Sequence, residues 1–108
     1  MKVKIGQEIK SAISFETETF GGRKITIKEG DKGIVAGSGF ILHSSGNASG
    51  MIQMVDNMEL EGYDYENISK MILNRLNVVF GLEEFLENEE IDPKEIIDEL
   101  EDLLSDIL

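Results

Sequence analysis

The chain has 108 residues, no cysteine, and a formal net charge of −12 from 22 acidic and 10 basic residues. Lack of cysteine excludes disulfides and thiolate metal sites, and a reducing, cytoplasmic setting is expected. No apolar run approaches the roughly 20 residues of a membrane span, and residues 1–6 hold no apolar segment of a secretory signal, so a soluble chain of one domain's size is expected.

The charge is unevenly spread. Residues 1–55 hold seven bases and five acids, a net of +2, while residues 56–108 hold three bases and seventeen acids, a net of −14. Phosphate contacts need cations, so direct nucleic-acid binding by the second half is disfavoured and a basic partner is expected. No membrane partner is expected either.

The first 55 residues read as short strands separated by glycines. Val3 and Ile5 alternate with lysines; Ile13, Phe15, Thr17 and Thr19 alternate with Ser14, Glu16 and Glu18, the period of a half-buried strand. Gly21 and Gly22 read as a two-residue hairpin turn, since both tolerate positive φ. Ile25 and Ile27 lie on the returning strand, and Glu29, Gly30 and Asp31 turn the chain again. Residues 33–36 and 40–43 form two more strands around the turn Gly37, Ser38 and Gly39. Residues 44–50 are a loop of small polar residues, and 51–55 a last strand.

Strands this short and evenly spaced predict a small antiparallel barrel. The segment from Ile25 to Val35, two apolar alternations before Gly30-Asp31 and the next strand, resembles the turn of SH3-like barrels. The resemblance implies a barrel and no particular ligand. SH3 domains that bind proline-rich peptides use an aromatic groove, whereas this half has no tryptophan and only Phe15, Phe20 and Phe40.

Residues 56–62 read as an acidic connector. Asp64 then caps a helix over residues 65–80, with Ile68, Met71, Ile72, Leu76 and Val79 on one face. Leu73, Val78 and Phe80 widen that face and predict deep packing, and Gly81 is the expected stop. Residues 82–86 suit one or two helical turns, with Phe85 and Leu86 as an apolar plug, before a polar joint at 87–90. Asp92 and Pro93 open a last helix as N-cap and first helical position. Its Ile96, Ile97, Leu100, Leu103, Leu104, Ile107 and Leu108 share one face, opposite Glu95, Asp98, Glu99, Glu101, Asp102 and Asp106. The predicted fold is α+β: a small antiparallel SH3-like β-barrel over residues 1–60, followed by two or three α-helices over 61–108 packed on it.

Catalytic and ligand motifs are weak. His43 is the single histidine; Ser44 points to the opposite strand face, and no motif joins it to Ser45, so a structural role is expected. Gly37-Ser38-Gly39 lacks the third glycine and following helix of a dinucleotide loop. Residues 44–50 lack the lysine or helix start of an anion nest. A calcium loop begun at Asn57 places Ile68 where a bidentate glutamate is required. No cofactor, metal or catalytic residue is assigned.

The expectation is a non-enzymatic protein-interaction module. Its partner-binding residues are Glu95, Asp98, Glu99, Glu101, Asp102 and Asp106 with Leu103, Leu104 and Ile107. The partner is a protein that is basic or offers an apolar groove, and a homodimer through the same stripe is a further option. The width of the stripe favours packing within the chain. The alternative is an acidic nucleic-acid mimic that blocks a DNA-binding protein, in line with a general similarity to proteins of phages and mobile elements. A third reading is a small enzyme using His43 and carboxylates.

Overall fold

A computed structural model of the chain describes residues 2–18, 21–55 and 58–108. Strands and helices are both present and segregated along the chain, so the class is α+β. Two compact units divide at Tyr63 and Asp64.

The first unit contains β1 (Lys2–Ile5), β2 (Glu8–Lys10), β3 (Phe15–Glu18), β4 (Lys24–Ile27), β5 (Lys32–Val35), β6 (Phe40–His43), β7 (Ile52–Met54) and β8 (Glu59–Tyr63). They form open sheets, not the expected closed antiparallel barrel: a four-stranded sheet in the order β2-β5-β6-β7, a β3-β4 hairpin, and a β1-β8 pair. The β1-β8 pair is parallel, so strand 59–63 stands where the sequence suggested a connector. Asp56 and Asn57 of that connector lie outside the described residues.

Gly6 is the hinge of this departure. Its φ of +87° suits glycine, and it ends β1 while its N–H bonds the Val35 carbonyl at 2.7 Å. The Val35 N–H in turn bonds the Gln7 carbonyl at 2.9 Å, which hands the chain to β2 and leaves β1 to pair elsewhere. Strand β2, too short to show a period, has no counterpart among the sequence expectations.

The hairpin keeps the predicted alternation. In β4, Ile25 and Ile27 are buried while Lys24 and Thr26 are exposed, and the two isoleucines join Ala48, Phe15 and Met51 in the core of this unit. The last described pair of the hairpin is Glu18↔Lys24, and the two-residue turn expected at Gly21-Gly22 depends on residues outside the described ones. Thr19 and Phe20 lie outside the described residues. The turn at residues 29–31 holds as expected, with the Lys28 N–H on Asp31 Oδ2 at 2.9 Å.

The second unit contains α1 (Tyr65–Phe80), α2 (Leu82–Asn88) and α3 (Pro93–Ile107). The caps are those the sequence announces. Asp64 Oδ1 accepts the Asn67 N–H at 3.0 Å, Asp92 Oδ1 accepts the Lys94 N–H at 3.0 Å, and Gly81 closes α1 at φ +65°. Helices α1 and α3 run antiparallel and pack along one another, with α2 as the link. Ser69 is fully buried and its hydroxyl donates to the Tyr65 carbonyl at 2.7 Å.

Deep packing of α1 is not found. Val78, Val79 and Phe80 are all exposed, and Ser69 is its one buried residue. The reason is width: the apolar arc of α1 exceeds what one antiparallel neighbour and a short α2 cover. The expected plug is half right, since Leu86 is buried and Phe85 exposed.

A candidate docking face on the helical unit

The apolar residues of α3 divide into two groups. Ile97, Leu100 and Leu104 are half-buried and recur on the face turned to α1. Leu103 and Ile107 stay 57% and 68% exposed, although both are large and apolar. Leu104, expected among the partner-binding residues, therefore belongs to the packed group.

The acidic residues divide as well. Asp98 and Glu101 line a groove of about 430 Å³ with Lys94 and Ile97 of α3 and Glu66 and Lys70 of α1. Within it Lys70 Nζ stands 2.9 Å from Glu66 Oε1, one helical turn away. The hydrogen bond, and then the attraction between the charges, hold the Glu66 carboxyl below its ordinary range and the Lys70 ammonium above its own. This groove marks one side of the α1–α3 contact as polar.

The opposite side is apolar. Ile68, Ile72 and Val79 fall in a strip on α1, and Ile96, Leu103 and Ile107 in a strip on α3, each at helical spacing; Val79, Leu103 and Ile107 are exposed, and Ile68, Ile72 and Ile96 are half-buried. Because the helices are antiparallel and face one another, the two strips border the same side of the seam. Val79 at the end of the α1 strip is 58% exposed. Along the outer border of the α3 strip stand Glu95, Glu99, Asp102 and Asp106, all exposed. The α1 border has Arg75 between Ile72 and Val79, with exposed Met71 and Val78 beyond.

This face could be half-read from sequence. The α3 strip was recognisable; the α1 strip was assigned to the interior. The sign that its Val79 end would stay open is the same excess width that leaves Val78 exposed.

The other candidates take structural places. His43 is buried on β6, and its Nε2 lies within hydrogen-bond distance of the Gln53 carboxamide, 2.9 Å from Oε1. Ser45 Oγ accepts the Lys32 N–H at 2.8 Å, and no histidine–serine pair forms. Amides of the 44–50 loop go to backbone carbonyls: Ser44 N–H to Lys32 O, Ser49 N–H to Gly46 O and Gly50 N–H to His43 O, while Ala48 O accepts the Met51 N–H. Residues 37–39 make a tight turn with Ser38 at φ +66°. Among the described residues no group of three or more histidines or carboxylates is placed to hold a metal ion, and no helix is long and apolar enough to cross a membrane.

Compared with protein-family models, with curated proteins and with solved structures, the chain matches none.

Proposed function

We propose that this protein is a non-enzymatic interaction module that captures a protein partner through its acidic helical unit, in a cytoplasmic setting. The observation that carries this reading is the exposure of Leu103 and Ile107 on a helix whose remaining surface is acidic. Apolar side chains left in water at adjacent helical turns stabilise a complex when covered, by about 25 cal/mol per Å² removed from solvent. Charge segregation supports the same reading. Residues 64–108 hold fourteen acids and three bases, a net of −11, while residues 1–63 hold eight acids and seven bases, a net of −1. The β unit, whose segment 25–35 resembles the turn of SH3-like barrels, serves as the scaffold. Interleaved apolar residues favour protein docking over mimicry of nucleic acid, which needs carboxylates alone.

The test is reconstitution. A partner recovered on the immobilised chain from an extract of the source cells is purified and re-bound to the wild type and to a Leu103→Asp/Ile107→Asp variant. Direct binding lost in the variant is the expected result. Equal binding to both proteins contradicts the reading.

A further inference from the structure

We infer that the apolar trough beside the α1–α3 seam accepts one basic amphipathic helix of the partner, an inference that rests on the interaction-module reading above. The shape argues for a helix. Two parallel strips, Ile68, Ile72 and Val79 on α1 and Ile96, Leu103 and Ile107 on α3, flank the seam of two packed helices. Packed helices stand about 8–10 Å apart, and a third helix seats its ridge in the groove between them. A helix pair offers no free backbone edge, so an added strand would find no hydrogen-bond partners there. Each strip spans twelve positions, about 16 Å of helix, which matches three turns of a partner helix.

The charge chooses the occupant. On the α3 border Glu95, Glu99, Asp102 and Asp106 stand exposed beside the apolar strip, whereas the α1 border carries Arg75. A complementary helix presents apolar residues to the trough and lysine or arginine to the α3 border. A second copy of this chain brings another helical unit of net −11 and meets like charge.

The experiment uses the full chain and two labelled peptides of about 18 residues built of leucine and lysine, one patterned at helical spacing and one scrambled. Binding is read by fluorescence anisotropy. The wild type is expected to hold the patterned peptide about tenfold or more tighter than the scrambled one, and Leu103→Asp/Ile107→Asp to lose about tenfold or more. A Glu99→Gln/Asp106→Asn variant, which leaves every apolar contact in place, is expected to bind the patterned peptide more weakly and with less dependence on salt. Equal affinity for both peptides, or unchanged affinity in either variant, overturns the inference. Light scattering of the peptide-free chain covers the other occupant: a dimer that the Leu103→Asp/Ile107→Asp variant dissolves assigns the trough to self-association and also overturns it. These outcomes leave the interaction-module reading standing, since that reading fails only when the reconstituted partner binds wild type and variant alike.

Discussion

The Tyr65 hydroxyl donates to the Leu108 carbonyl oxygen at 3.3 Å, tying the first residue of α1 to the residue that follows α3. Helix ends fray because their last carbonyls lack partners, and this contact supplies one from the neighbouring helix. Tyr65→Phe keeps the ring and removes the donor. The expected cost is about 0.5–1 kcal/mol, read as a lower urea midpoint with an unchanged slope.

Ser69 is the one buried residue of α1. It is fully buried and its hydroxyl is spent on the Tyr65 carbonyl of its own helix. Ser69→Leu forces a larger side chain into that place and is expected to destabilise by about 1–3 kcal/mol. Ser69→Ala loses a bond to a carbonyl already within the helical ladder and stays within about 1 kcal/mol. Equilibrium unfolding of both variants compares the two effects.

In the β unit the side chains of His43 and Gln53 form a hydrogen bond. Replacing the histidine alone, as His43→Phe, leaves a half-buried carboxamide without its partner and is expected to cost about 1–3 kcal/mol. Adding Gln53→Leu removes the orphaned group, so the double variant is expected to lose less than the sum of the single changes. A double-mutant cycle in urea measures the coupling.

The Glu66–Lys70 pair has a defined pH signature. The carboxyl is held below its ordinary value in the folded chain, so its contribution is present above the unfolded carboxylate range and lost as pH falls through the lowered folded value. The ammonium is held above its ordinary value, so its contribution is present below the unfolded lysine range and lost as pH rises through the raised folded value. Glu66→Gln is expected to lower stability near neutrality and to leave it unchanged in strong acid, where wild-type Glu66 is itself neutral. Unfolding curves at the two pH extremes and at neutrality check the sign.

Caps and periods made much of the helical unit legible. Asp64, Gly81, Asp92 and Pro93 bounded α1 and α3 because each satisfies or removes a backbone donor or acceptor locally, within a few residues. Strand existence was legible wherever alternation ran four residues, as in β4. Strand pairing was not. Which strand β1 joins depends on the bend at Gly6 and on a partner that begins at Glu59, more than fifty positions away. Residues 59–63, rich in acids, gave no alternation strong enough to mark a strand. In the candidate site the acidic and apolar residues of α3 were legible. Their division between groove and trough was not, because it depends on where α1 lies. Asp98 and Glu101 fall to the polar groove and Leu104 to the packed face only once Glu66 and Lys70 are placed across from them.

Amide hydrogen exchange of the full chain with and without the reconstituted partner tests the central claim most directly. The account predicts added protection within residues 68–79 and 96–107, with residues 2–18 and 21–55 unchanged. Protection concentrated instead on β7, whose Ile52 and Met54 are exposed at the edge of the four-stranded sheet, would contradict it and move the binding site to the β unit.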